Sequence, residues 1–312
     1  SRTRQGSTGG SISGHAGASL NKLLKSQGGI MQLGNNQVRI ISDGTYLLDG
    51  GLVYGQIPKR VWEKDSKPDR QNRVRLGLNC LLIQTPERNI LIDTGLGARH
   101  PERNKELYGL SSSKLLRNLR ASGLTVRDID TVVLTCLHFD HAGGITRLDR
   151  QGNVIPTFPN ATIMVQRSAF ERLKFPNERT IVSTGYTAEE DFELIEENEK
   201  LFLLDGDTEI APGINAVVTD GPADGHQSVM IDLGSEKIAY LSDLVPTPSH
   251  INLPYITAYD RRPDATLEQK KLFLKRIESE GWLMIFSHGY TQVAAYLERR
   301  RDQLCLRPVP SL

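Results

Sequence analysis

The chain has 312 residues, with 38 basic against 37 acidic side chains and a formal net charge of +1, which argues against nucleic-acid binding through a general basic field. Its 38% apolar content and 28 glycines are those of an ordinary globular chain with a sizeable core, and no window approaches the ~18 consecutive apolar residues of a membrane-spanning helix. Three widely spaced cysteines, Cys80, Cys136 and Cys305, are too few to staple a secreted fold, and the start of the chain has no apolar leader; the expected setting is reducing and cytoplasmic.

Residues 1–36 read as a flexible Gly/Ser-rich arm, a remnant or processed leader, because the first thirty residues hold no acidic side chain and little apolar surface to offset ordering. Residues 37–312 read as one domain. Strand patterns are expected at Val38–Ser42, Tyr46–Leu48, Arg75–Gln84 and Asn89–Asp93. A helix follows, with caps offered by the serines at 111–113, an apolar face of Leu115, Leu116 and Leu119, and a stop at Gly123. Thr131–Thr135 is a buried strand, Thr162–Val165 another, and Arg167–Lys174 a helix. A second strand series is expected at Leu201–Leu204, Ile214–Thr219, Val229–Leu233 and Lys237–Ser242. Thr266 with Gln269 suggests a capping box for a helix reaching Glu280 and ended by Gly281. A short strand Leu283–Phe286 and a last helix from about Val293, with Arg299, Arg300 and Arg301 on its solvated face, close the chain. Strands followed by helices, twice over, suggest two sheets packed face to face with helices outside.

Chemistry concentrates where the Thr131–Thr135 strand runs into Cys136-Leu137-His138-Phe139-Asp140-His141. Imidazoles and a carboxylate crowded at a strand end suit a divalent metal, zinc first, with iron and manganese also compatible. In an extended segment residues 138 and 140 project to one side and 141 to the other, so the trio could serve two ions rather than one. The Gly143-Gly144 pair behind them lets the backbone turn away with no side chain in the pocket. A solvated polar loop is the alternative.

The stretch Cys136 to Gly144 resembles the His-x-His-x-Asp-His motif of the metallo-β-lactamase superfamily. The resemblance continues in order through Leu91–Gly97, Thr219–His226, Leu241–Asp243 and Phe286–Gly289. Finer features, Gly55–Lys59 with Trp62 and Asp243–Thr247 through His250 to Asp260, are similar to the quorum-quenching branch that opens N-acyl homoserine lactones. The resemblance implies an α/β fold, a four-layer αβ/βα sandwich of two mixed sheets with helices on the outer faces. It implies one ion held by Asp140, His141 and His288, with Asp243 bridging to a second ion held by residues 136, 138 and 222. Two of those positions depart from the pattern: Cys136 stands in place of a histidine, and Pro222 in place of another. A thiolate can ligate zinc, with a shorter reach than imidazole; proline has no donor to offer.

By the same resemblance Asp93 braces the metal loop and His226 is a pocket or packing histidine, or a replacement for the lost ligand; His250 either faces the substrate pocket or is an exposed loop histidine. The expectation is a metal-dependent hydrolase in which Asp140 and Asp243 orient water and shuttle its proton, acting on a small-molecule lactone or ester. No nucleic acid or membrane takes part. One or two ions per chain are expected, and the activity is expected to be weak because of Cys136 and Pro222. The alternative is a catalytically silent relative that binds a small ligand or partner through the old pocket.

Overall fold

The computed structural model describes residues 30–99, 102–110, 112–184 and 188–309. Two seven-stranded sheets carry the fold, each with its strands side by side in chain order. The first runs Ile30–Leu33, Asn36–Asp49, Arg73–Gln84, Asn89–Ile92, Thr131–Val133, Thr162–Gln166 and Leu201–Leu204. Its first four strands are antiparallel and its last four parallel. The second runs Thr208–Ala211, Ile214–Val218, Gln227–Asp232, Lys237–Tyr240, Leu283–Ile285, Ala294–Arg300 and Gln303–Pro308. There a single parallel pair, Lys237–Tyr240 beside Leu283–Ile285, interrupts an antiparallel sheet.

Alternation along the strands builds the layers. Ile83, Ile92, Val229, Ile231 and Ile285 point between the sheets and form one core. Their neighbours point outward, where Leu82 and Leu91 meet Leu119 and Phe170 of helices Leu115–Ala121 and Arg167–Lys174. On the far side Met230 and Met284 meet Leu274 and Ile277 of helix Pro263–Glu280. A strand buried on both faces must be apolar at both parities, which accounts for the unbroken run from Cys80 to Ile83. The result is a mixed α/β sandwich of helix, sheet, sheet and helix, the architecture expected above.

Several expectations change. The two early strands are one, Asn36–Asp49, interrupted by a bulge between Ser42 and Gly44. Pairing begins before the end of the expected arm, since Ile30–Leu33 pairs with Asn36–Arg39; residues 1–29 lie outside the described residues. Helix Leu115–Ala121 is not capped by Ser112 or Ser113, and Ser111 lies outside the described residues. The bulged Asp43, about seventy residues earlier, caps the helix instead: its Oδ1 accepts from the amides of Lys114 and Leu115, both at 2.9 Å. Helix Pro263–Glu280 starts before the expected box, with Pro263 in its first turn, and Thr266 Oγ1 donates to Asp260 Oδ2 at 2.5 Å. The closing helix is absent, because Ala294–Arg300 and Gln303–Pro308 form a hairpin. Arg299, Arg300 and Arg301 are exposed along it, and Arg299 forks onto Glu278 at 2.7 and 2.8 Å.

Candidate metal centre

Parallel strands bring their C-terminal ends to one edge, and loops leaving that edge are where α/β sheets build sites. Four strands do so here. Asn89–Ile92 ends in Asp93, Thr131–Val133 leads to residues 135–141, Lys237–Tyr240 to Ser242-Asp243, and Leu283–Ile285 to Ser287-His288. His138 is the N-cap of a one-turn helix, Phe139–Ala142, which places Asp140 and His141 inside its turn. The turn packs against the Thr94–Gly97 loop so closely that a Cβ on Gly144 would lie 2.3 Å from the Thr94 carbonyl oxygen. Close approach, rather than an unusual backbone angle, is why glycine stands there. Asp93 and Ser242 adopt left-handed φ of 60° and 53°, strained values held by the surrounding bonds.

Six buried side chains converge in two groups: Asp140, His141 and His288, and Cys136, His138 and Asp243, the ligand atoms within each lying within 4.8 Å of one another. Asp243 joins them. Its Oδ2 lies 2.8 Å from His138 Nδ1, and its Oδ1 lies 3.3 Å from both His141 Nε2 and His288 Nε2. The last two nitrogens face each other at 3.1 Å. Their Nδ1 atoms are turned outward and occupied, His141 by Asp93 Oδ2 at 2.8 Å and His288 by the Gly77 carbonyl at 3.0 Å. With Nδ1 donating to an acceptor, each ring turns its Nε2 inward, the nitrogen that would give its lone pair to an ion once its proton is displaced. Asp93 is itself fixed by the Thr135 amide at 2.8 Å and the Tyr240 hydroxyl at 3.0 Å.

Electrostatics agree with a cation. Burial by itself would push the His138 and His141 imidazoles down, but the charge of Cys136 and Asp243 outweighs it and holds both well above the usual histidine range. Asp243 is held well below the carboxylate range by the surrounding imidazoles, against its own burial. Inward-facing nitrogen, oxygen and sulfur donors crowded this closely fit a divalent ion.

The remaining sequence-derived positions fall as follows. Pro222 is buried, and its carbonyl accepts from the Arg261 amide at 3.1 Å. His226 stands outside both groups: its Nδ1 meets Thr219 Oγ1 at 2.8 Å and its Nε2 has no partner among the described residues. His250 is bonded at both nitrogens, to Thr247 Oγ1 at 2.7 Å and the Val53 carbonyl at 3.0 Å, and stacks on Tyr54. Neither is among the residues lining the cavity above the centre. Two tyrosines went unassigned in the sequence. Tyr46, wholly buried, donates to Asp140 Oδ2 at 2.5 Å, and burial followed by the Asp140 charge keeps its hydroxyl protonated well above its ordinary pKa. Tyr259 stands edge-on to His138. Only the register of Asn36–Asp49 beyond its bulge aims Tyr46 at the site, and alternation counted from Val38 does not pass through a bulge.

The two peripheral histidines give a pH prediction. Burial pulls His226 down to about 4 and His250 to about 3, so folded imidazoles stay neutral while unfolded ones protonate near 6.5. Between those values the unfolded chain binds more protons, so stability is expected to fall as pH drops from about 6.5 towards 4, by up to about 1.4 kcal/mol per pH unit per histidine. Urea midpoints of wild type and His250→Gln measured at pH 7 and pH 5 check this; the variant's midpoint is expected to vary less between the two.

A family model of the metallo-beta-lactamase superfamily matches residues 74–288. An N-acyl homoserine lactonase of Bacillus cereus is 28% identical over 185 residues, 55% of this chain and 64% of that protein. The human acyl-coenzyme A thioesterase MBLAC2 is 31% identical over 182 residues, 57% of this chain and 62% of its own. The chain thus spans somewhat under two thirds of the length of each of these relatives. Among solved structures, a probable metal-dependent hydrolase from Staphylococcus aureus superposes with a TM-score of 0.79 at 28% identity, covering 89% of this chain and 99% of that one. AidC, a dizinc quorum-quenching lactonase in complex with the product N-hexnoyl-L-homoserine, shares the fold with a TM-score of 0.73 at 21% identity, over 91% of this chain and 98% of its own. With the motif residues gathered at one edge of a two-sheet sandwich and a family model spanning most of the chain, this protein belongs to the metallo-β-lactamase superfamily.

Proposed function

We propose that the protein is a metal-dependent hydrolase that opens a lactone or cleaves a related ester with activated water, from a centre dominated by the Asp140–His141–His288 group. The observation that carries it is the convergence of these donors with Asp243 beneath a cavity of about 340 Å³ that has His138, Phe139 and Asp140 in its lining. Relatives named as lactonases, and one named as a thioesterase, support acyl transfer to water. A solved neighbour described as dizinc supports zinc. The free thiols of Cys80, Cys136 and Cys305 agree with a reducing, cytoplasmic setting.

A divalent ion held there supplies Lewis acidity and makes water nucleophilic at neutral pH. The chain's residues do the rest. Tyr46 engages Asp140 Oδ2, so Oδ1 is the oxygen left to accept a proton from water and return it to the leaving group. Asp243 holds His138, His141 and His288 in place through its two oxygens. Asp93, buried behind His141, fixes that ring's orientation. His226 and His250 support the loops around the pocket, and a role for either at the substrate would require those loops to move.

Purified protein assayed on N-hexanoyl homoserine lactone, a hexanoyl aryl ester and a hexanoyl thioester, before and after chelation and zinc return, tests the reading. Turnover that chelation removes and zinc restores is expected. Absence of turnover with every metal would leave a silent ligand-binding relative. The Cys136–His138–Asp243 group has His138 as its single imidazole because Pro222 has no donor, so elemental analysis after dialysis is expected to find about one tightly held ion per chain. Cys136→His with Pro222→His should raise this to about two and increase turnover more than the single changes combined, since both residues serve one ion. Two ions in the unaltered protein would show that the thiolate or His226 completes the second site.

A further inference from the structure

The cavity above the centre has two unlike sides. Leu48, Leu52, Phe139 and Val182 offer apolar surface, and Leu52 and Val182 are 42% and 70% exposed among the described residues. Arg179 and Arg261 line the same cavity. Arg179 is exposed, and its Nη2 donates to the carbonyls of Asp260 at 3.2 Å and Ala258 at 3.4 Å. Among the described residues no carboxylate pairs with it, so two neutral acceptors fix the guanidinium and leave its charge and its other donors unspent. Arg261 is the more buried, its side chain 17% exposed; its Nη1 donates to Asn177 Oδ1 at 3.1 Å and Thr180 Oγ1 at 3.3 Å. Its nearest carboxylate, Asp224, lies 3.7 Å away and is already held at 2.8 Å by Arg172, with Arg262 also at 3.7 Å. Two acidic residues line the cavity, Asp140 of the metal-site groups and Glu178, which is exposed and forms no ion pair among the described residues. The rim therefore offers two guanidinium groups, Arg179 without a carboxylate partner among the described residues and the more buried Arg261 whose 3.7 Å ion pair with Asp224 is shared with Arg172 and Arg262, beside an apolar wall in a cavity that His138 and Asp140 also line. Charge-assisted, bidentate bonding is what a guanidinium in such a place provides, and a neutral substrate would leave it unused.

We propose that this cavity takes an acyl ester or thioester whose alcohol or thiol portion carries an anion, carboxylate or phosphate, with the acyl chain on the Leu48–Leu52–Phe139–Val182 wall and the anion on Arg179 and Arg261. The inference rests on the hydrolase reading above and names its substrate class. Water adds across the acyl carbon to oxygen or sulfur bond; the acyl carbon gains hydroxyl, the leaving group takes the proton, and the anionic alcohol or thiol departs from the arginine rim.

Binding of inert analogues separates this inference from turnover. Calorimetric titrations of the zinc-loaded protein use 4-hexyloxybenzoate, its neutral amide 4-hexyloxybenzamide, and 4-hexyloxyphenylphosphonate. The benzoate is expected to bind about tenfold more tightly than the amide, as charge-assisted bonds worth about 1.5 kcal/mol imply. Arg179→Gln, at an exposed position, should cut that preference to about threefold, and adding Arg261→Gln should remove it, with affinity for the amide changed by less than about twofold. The ratio of benzoate to phosphonate affinity distinguishes a carboxylate from a phosphate as the natural anion. Equal affinity for charged and neutral ligands overturns the proposal. So does a preference that survives both substitutions, because the metal centre then holds the anion. An anion preference that depends on the arginines, in a protein that turns over no ester, would sink the hydrolase reading while leaving the anion site in place; turnover of neutral esters without any such preference would do the reverse.

Discussion

Asp243→Ala is expected to strip the protein of its tightly held metal and to lower kcat/KM on any ester it hydrolyses by about a thousandfold or more. The reason is geometric. One carboxylate, 2% exposed, contacts His138 through one oxygen and His141 and His288 through the other, so its loss takes the shared donor from between three rings at once. It also removes a negative charge from the middle of the donor groups, leaving less charge to balance a divalent cation. Asp243→Asn keeps the volume and should retain part of the positioning while losing the charge, so it should fall between wild type and Asp243→Ala in metal content. Elemental analysis alongside kinetics reads both. Full metal occupancy with lost activity would instead mean that Asp243 acts only in the proton path.

Asp43→Ala is expected to cost about 3–5 kcal/mol of stability, because it leaves five donors without their acceptor and each buried orphan costs about 1–3 kcal/mol where water does not replace it. Asp43 is buried at the bulge of Asn36–Asp49, and one carboxylate serves five donors. Oδ1 accepts from Ser113 Oγ at 2.5 Å and from the Lys114 and Leu115 amides at 2.9 Å; Oδ2 accepts from the Leu96 amide at 3.0 Å and the Gly97 amide at 3.2 Å. It thus caps helix Leu115–Ala121 and clamps the loop against which Gly143 and Gly144 pack. Burial raises its carboxyl pKa, and the bonds from Ser113, Leu115, Gly97 and Lys114 pull it back towards the ionised form. Urea denaturation measures the loss. Asp43→Asn should lose less, because its amide oxygen still accepts at one side, and Ser113→Ala less again, since two amides still reach Oδ1. Metal content is expected to fall with Asp43→Ala, because Gly143-Gly144 directly follows the His138–Ala142 turn. A stability loss below about 1 kcal/mol would mean that water reaches the orphaned amides.

Much of this protein is decided locally. Short apolar strands bounded by turn residues, helices after them and a cluster of His and Asp at a strand end are written in contiguous residues, because periodicity and ligand spacing are properties of neighbours in the chain. That was enough for the two-sheet class, for the existence of most strands, and for the cluster of His138, Asp140 and His141; Cys136, Asp243 and His288 were added through the family resemblance, and the fold brings all six together in two groups. What contiguous residues did not decide came from partners far along the chain. The stretch from Ala294, rich in Ala, Leu, Glu and Arg, has helical composition, yet it is a strand. Ala294–Tyr296 pairs with Leu283–Ile285, and the chain reverses at Arg301-Asp302, whose φ of 47° and 64° make a two-residue turn without the usual Asn-Gly signature. The cap of helix Leu115–Ala121 comes from Asp43 and not from an adjacent serine, and Tyr46 reaches Asp140 across 94 residues. Arg179 and Arg261 meet at one cavity although 82 positions separate them. Secondary-structure preference is worth tenths of a kcal/mol per residue, whereas pairing, capping and burial at contacts this distant are worth more, and those only the tertiary structure supplies.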